Sequence, residues 1–237
     1  MTSPPVHHAF ILNNYGATRE ALVKRGYSYL KPRNRARLAG ISSIARQKQF
    51  ILARYLLSAC LRQLTGRQYN IETDGSGETT GQPIIPNSKL CCSISHSGQC
   101  ISVAVSQYGP IGIDVETHRP RNIDAIVSEY FHPEEIIAFQ TLESQRRNRW
   151  FYRHWTRKEA MAKLHGNGMS RAMLLQRNNA SQFTTHYLSS KNIAVSCVHQ
   201  SPVPILPYRA ELLAAEPWIQ LEPLLWRSTE EIEASII

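Results

Sequence analysis

The 237-residue sequence predicts an α+β fold of two similarly built lobes, each a small, mainly antiparallel sheet packed with helices. Two long helical patterns, each closed by a glycine, lie in different halves of the chain, and short strand-like runs follow each of them. The lobes are expected at residues 1–116 and 117–237.

Residues 1–30 show no strong periodicity and read as an irregular arm with one short strand, HHAFIL. From about Ser42 to Leu64 apolar residues such as Phe50, Leu56, Leu57, Leu61 and Leu64 recur at three- and four-residue spacing, and Gly66 marks a helix C-terminus. Residues 72–89 are turn-rich and read as a loop. Three strand-like runs follow, Cys91–Ser95, Ile101–Ser106 and Ile111–Glu116, separated by His-Ser-Gly and Tyr-Gly-Pro turns as in an antiparallel meander. Helices are expected at 123–129 and at 133–143, where Pro133 suits a first turn, and the strongest at 146–164, stopping at Gly166. Strands return at 182–188, 193–199 and near 207–213, and the pattern assigns no role to the tail.

A hydrophobic fraction of 42% with scattered charge is that of a globular protein with a real core. No stretch approaches the ~20 apolar residues of a membrane span, and MTSPPVHHAF has neither the basic start nor the apolar core of a secretory signal. The five cysteines lack C-x-x-C spacing and suit a reducing, cytoplasmic compartment. A net charge of +9 calls for an anionic partner. The basic residues fall into two loose clusters, one including Arg33, Arg37, Arg46, Lys48 and Arg54, the other Arg146 to Lys158. Charge alone does not separate nucleic acid, an acidic protein and a polyphosphate ligand.

In GPIGIDVE, alternation sends Ile111, Ile113 and Val115 to one strand face and Asp114 and Glu116 together to the other. Two neighbouring carboxylates repel unless a cation lies between them, and a divalent ion suits the pair. The plain alternative is the solvent face of an edge strand. The run WTRKEAMAK adds a third carboxylate, Glu159, with Lys163 four residues on. Lys158 falls on the apolar arc with Phe151, Trp155 and Ala162, so it either snorkels or reaches into a site between lobes. Ser95-His96-Ser97 follows a strand and offers donors for a phosphate. Alone, it would be a hairpin turn, as would Gly81-Gln82-Pro83 and Gly166-Asn167-Gly168.

In order along the chain stand Gly81-Gln82-Pro83, Ser95-His96-Ser97, Gly112 to Glu116, Phe131 to Glu135, Trp155 to Lys163, and Gly166 to Gly168. This series resembles the Sfp-type 4'-phosphopantetheinyl transferases, with the resemblance covering roughly residues 44–170. It implies two pseudo-symmetric lobes with coenzyme A in the cleft between them. By that resemblance Asp114, Glu116 and Glu159 would hold Mg2+ together with the coenzyme A pyrophosphate. Gly81, Pro83, Ser95, His96, Lys158 and Lys163 would line the coenzyme site, and Arg46 and Lys48 would approach its 3'-phosphate. Gln82 departs from the family, which often has Lys there.

The implied reaction moves the 4'-phosphopantetheine arm to a serine of an apo acyl or peptidyl carrier protein, releasing adenosine 3',5'-bisphosphate. Lys163 would stabilise leaving-group charge. The base is left open among Glu159, Glu135 and a metal-bound water. The expected partners are coenzyme A and a carrier protein, without nucleic acid or membrane, and one chain acting as a monomer would complete the cleft. The rival classes are a magnesium-dependent nuclease or phosphohydrolase and a non-catalytic nucleic-acid module, which leaves the acidic pair unexplained.

Overall fold

The computed structural model describes residues 6–13, 20–73, 82–166, 170–176, 184–189, 193–201, 203–213, 219–224 and 227–228. Gly81, Asn167 and Gly168, which belong to the two glycine turns of the sequence motif series, lie outside the described residues.

Strand β1 (His7–Asn13) is followed by α1 (Glu20–Tyr29), α2 (Pro32–Ala39) and the long α3 (Ile44–Thr65). Next come β2 (Glu72–Thr73), β3 (Pro83–Ile84) and the hairpin β4 (Cys91–Ser97) and β5 (Cys100–Ser106). The second lobe repeats the plan. Strand β6 (Ile111–Thr117) leads through α4 (Ile123–Tyr130) and α5 (Pro133–Gln140) to the long α6 (Ser144–His165). After a short α7 (Arg171–Leu174) come the paired strands β7 (Thr184–Ser189) and β8 (Ile193–His199). In each lobe the first strand pairs antiparallel with the later strand of the hairpin, β1 with β5 and β6 with β8. Each long helix has 22 residues and ends on a left-handed glycine, Gly66 at φ 69° and Gly166 at φ 72°. The pseudo-symmetry is one of topology.

Strand pairing corrects two expectations. The third strand-like run does not complete a meander: β6 leaves β5 and enters the sheet ordered β11-β7-β8-β6, where β11 is Arg227–Ser228. The chain also returns to the first lobe late. Strands β9 (Ile205–Leu212) and β10 (Ile219–Pro223) extend the sheet β10-β9-β1-β5-β4, with β9 parallel to β1. By pairing, β6 joins the second sheet although all but its last residue precede residue 117, and β9 and β10 join the first although they follow it. Residues 20–39, read as part of an arm or left unassigned, are two helices that bury Leu22, Gly26, Asn34 and Leu38.

The two sheets share an apolar seam. Ala9 and Ile11 of β1 and Ala104 of β5 meet Ile111, Ile113 and Val115 of β6, with Val195 and Cys197 of β8 behind them. The apolar face expected of β6 is thus the inter-lobe core. Its opposite face, Gly112-Asp114-Glu116, runs along α6. Among the described residues, no helix is long and apolar enough to cross a membrane.

Candidate active site

Gly112 brings the carboxylates to the helix. A Cβ built there would lie 1.9 Å from the Ala160 carbonyl oxygen and 2.8 Å from the Leu164 amide nitrogen, so strand and helix backbones meet where no side chain fits. Asp114 and Glu116 thereby come alongside Glu159 and Lys163 of α6.

The other wall is β4. Its SISHS stretch is strand to Ser97, not the turn expected after Ser95. Alternation points Ser93, Ser95 and Ser97 together at β6. Ser93 Oγ accepts from the Ile113 amide at 3.1 Å, Ser95 Oγ donates to Asp114 Oδ1 at 2.7 Å, and Ser97 Oγ donates to Glu116 Oε2 at 2.8 Å. This serine ladder fastens one lobe to the other and aims the carboxylates. Its signal in the sequence is the period-two repeat of serine.

Asp114 is 1% exposed and its Oδ1 also takes the Lys163 ammonium at 2.7 Å, while its Oδ2 is buried with no hydrogen-bond partner among the described residues. Glu116 is steadied by Arg121 at 3.2 Å. Burial, then the neighbouring Asp114 and Glu116 charges, push the Glu159 carboxyl up to about 9 against the pull of Lys163. Glu159 therefore holds its proton at neutral pH in the ligand-free protein. Among the described residues, no three His, Cys, Asp or Glu side chains form a ready cage for a metal ion. Partners within the chain, Lys163 on Asp114 and Arg121 on Glu116, supply the countercharge instead.

The raised Glu159 has a measurable consequence. The folded chain binds this proton more tightly than the unfolded chain, so the stability it contributes is complete below the ordinary carboxylate range and is lost as pH rises toward 9. Without divalent ions, Glu159→Gln should flatten the fall of Tm between pH 5 and pH 9 and melt above the parent at pH 8. Parallel Tm profiles for the two proteins would refute the assignment.

These groups line a cleft of about 400 Å³ between the lobes. Ser95, His96, Asp114, Glu116, Glu159, Lys163 and Pro83 are all in its wall. The His96 ring sits at the exposed lip, where surrounding protein, then Lys163, with a smaller push from Arg46, lower its pKa. Gln82 lines the cleft and its side-chain amide donates to the Lys163 carbonyl at 3.3 Å. Arg46 is close enough to act on His96, whereas Lys48 is an exposed residue of α3 that does not line the cleft.

Lys158 and Glu135, also expected at the site, are elsewhere too. Lys158 Nζ is bonded at 2.7 Å each to Glu135 Oε2, the Leu174 carbonyl and the Gln176 carbonyl, and it is 4% exposed. Burial lowers its pKa, and Glu135 opposes the shift. Glu135 also closes a capping box with His132 at the start of α5. Neither residue lines the cleft, so Lys158 ties α5 and the segment after α7 to α6 rather than meeting an anion there. The apolar arc foretold burial, but the buried partner comes from another helix.

Arg37, Phe50 and Arg54 from the helical half of the first lobe also line the cleft, and no motif marks them as site residues. The two arginines belong to the basic cluster of the sequence, but only packing shows which of its members turn inward.

The sequence profile of the 4'-phosphopantetheinyl transferase superfamily matches residues 110–208. The chain is 33% identical over 114 residues to a 4'-phosphopantetheinyl transferase of Bacillus subtilis, covering 46% of this chain and 50% of that one. It is 32% identical over 99 residues to the 4'-phosphopantetheinyl transferase HetI of a Nostoc strain, 40% and 42% of the two chains. With the 4'-phosphopantetheinyl transferase AcpT of Escherichia coli O157:H7 it shares 26% over 158 residues, 66% and 77% of the two. The chain spans about half the length of the first two relatives.

Proposed function

We propose that this chain, whose residues 110–208 match the profile of the 4'-phosphopantetheinyl transferase superfamily, transfers the 4'-phosphopantetheine arm of coenzyme A to a serine of an apo carrier protein. The convergence of Asp114, Glu116, Glu159 and Lys163 with His96 in one inter-lobe cleft carries this reading. Adenosine 3',5'-bisphosphate leaves, and the serine oxygen becomes bonded to the β-phosphorus.

The donor set fits magnesium, a hard cation that takes oxygen ligands. Asp114 Oδ2 is buried with no hydrogen-bond partner among the described residues, and burial, then the Asp114 and Glu116 charges, keeps the proton on Glu159. Asp114, Glu116 and Glu159 would hold the ion, which when bound neutralises a pyrophosphate and favours in-line displacement.

The remaining chemistry belongs to the chain. Lys163 reaches the carboxylates from α6 and is 29% exposed at its side chain, so its ammonium can turn to the leaving phosphate and hold the charge that develops there. His96 at the lip, with Arg46 near it, offers donors to the phosphates of the nucleotide end. Arg37 lies in the wall with Gln82 and provides the positive charge that Gln82 does not. Of the carboxyl groups open to act as base, Glu159 is in the cleft and Glu135 is tied to Lys158 outside it. Glu159 is therefore assigned to receive the serine proton, once its own has been displaced.

Carrier proteins are acidic around their serine, and the +9 chain would steer them in. The five free cysteines suit the cytoplasm, and the cleft closes within one chain, as a monomer requires. The test is mass spectrometry of several apo carriers incubated with the protein, coenzyme A and magnesium. A pantetheine-arm increment on a carrier serine supports the reading. Coenzyme A cleavage without any carrier adduct would replace it with a phosphohydrolase.

A further inference from the structure

Arg54 is an unusual residue for the middle of a long helix. It is 7% exposed, yet no carboxylate among the described residues pairs with it. Its Nε donates to Asn34 Oδ1 at 3.2 Å, its Nη2 donates to Thr73 Oγ1 at 3.1 Å, and its guanidinium carbon lies 3.4 Å from the Phe50 ring centroid. Both hydrogen-bond partners are neutral. Burial, then the nearby Arg37, pulls its pKa down to about 9. Among the described residues, then, this buried cation is held by neutral groups and lacks the countercharge that such groups ordinarily acquire.

Arg54 also borders a second cavity. A chamber of about 240 Å³ lies between the end of α1, the start of α2, the middle of α3 and residues 68–71. It shares with the catalytic cleft only Arg54. Among the described residues no acidic side chain lines it, and the neighbouring Glu72 is already paired with Arg33 at 3.7 Å. Lys31 lines it as the N-cap of α2, and no side chain caps that helix. The helix start thus adds its partial positive charge near a chamber that already holds Lys31 and Arg54, and Pro32 at its first position has no N–H of its own to leave unpaired. Ser58 and Tyr69 add hydroxyls to the wall.

We propose that this chamber is a second anion site, selective for a phosphate-class oxyanion, either free phosphate or a small phosphomonoester. Arg54 is the countercharge it presents, and through Arg54 occupancy of the chamber is felt in the wall of the cleft. The site does not depend on the transferase reading, because none of the carboxylates or Lys163 takes part.

Inorganic phosphate and glycerol 3-phosphate are the probes, titrated calorimetrically into the full chain at fixed ionic strength, first without coenzyme A and then with it at saturation. Saturable binding that survives coenzyme A is expected, weakened about tenfold in Lys31→Ala, the equivalent of one charge-assisted contact. Lys31 is half-buried at the surface, so this variant tests the site without disturbing the core. Arg54→Met should abolish binding, and its circular dichroism and Tm report whether it folds. Tighter binding of glycerol 3-phosphate would identify a monoester as the occupant, and equal binding the free ion. No binding beyond a chloride control, displacement in proportion to coenzyme A, or unchanged affinity in Lys31→Ala would each overturn the proposal. If coenzyme A itself fails to bind, the transferase reading falls while the phosphate titration still decides this one.

Discussion

Asp114→Asn should lower the rate of carrier modification by at least ~10²-fold, on the scale seen when one preorganised electrostatic group is removed from an active site. The substitution is nearly isosteric, so the side chain can still accept the Ser95 hydroxyl that reaches Oδ1 at 2.7 Å. What disappears is the charge that holds Lys163 at 2.7 Å and that would hold a divalent ion. The fold should survive, because Lys163 is 29% exposed at its side chain and can turn to water rather than remain a buried unpaired cation. Glu159 should respond as well. After burial, Asp114 is the charge that raises it most, so in Asp114→Asn its pKa should fall part of the way toward the ordinary carboxylate range. Single-turnover rates with saturating coenzyme A and magnesium, alongside far-ultraviolet circular dichroism, provide the check. A folded variant retaining more than a tenth of the parent rate would remove Asp114 from the chemistry.

How far the site was legible in the sequence follows from which contacts are local. The α3 and α6 helices announce themselves because period and glycine stop are properties of one contiguous segment. The shared face of Asp114 and Glu116 likewise follows from alternation alone. Strand β6 was misplaced because a short link after β5 looks like a hairpin, while its actual partner β8 lies some eighty residues on. The parallel β1–β9 pair joins segments still farther apart. Helices α1 and α2 were invisible for another reason. Each buries only two residues, so neither carries an apolar stripe, and they persist by docking against α3. Lys158 shows the limit for single residues: its position on an apolar arc was readable, but Glu135, which receives it, stands on a different helix.

Gly112→Ala should damage both stability and activity, although it adds one methyl group. The new Cβ would sit 1.9 Å from the Ala160 carbonyl oxygen, with the Leu164 amide nitrogen and Ala160 carbonyl carbon inside 3 Å. All three are backbone atoms of α6, so no rotamer change relieves the overlap. Strand β6 cannot slide away either, because it is paired with β8 from Ile111 to Thr117 and its other face is the inter-lobe core. The strand and helix must separate, at a cost of at least ~3 kcal/mol for an overpacked core. For a chain of this size that lowers Tm by roughly 6–12 °C. Separation also draws Asp114 and Glu116 away from Glu159 and Lys163, so carrier modification should fall even at temperatures where the variant is folded. Gly40→Ala is the matched control. There the nearest contact of a Cβ is 3.5 Å from the Arg37 carbonyl, and the backbone at φ −79° accepts any L-residue. Differential scanning calorimetry of both variants separates the two accounts of Gly112. A Gly112→Ala melting curve that overlays that of Gly40→Ala would mean that the strand and helix do not meet at this glycine.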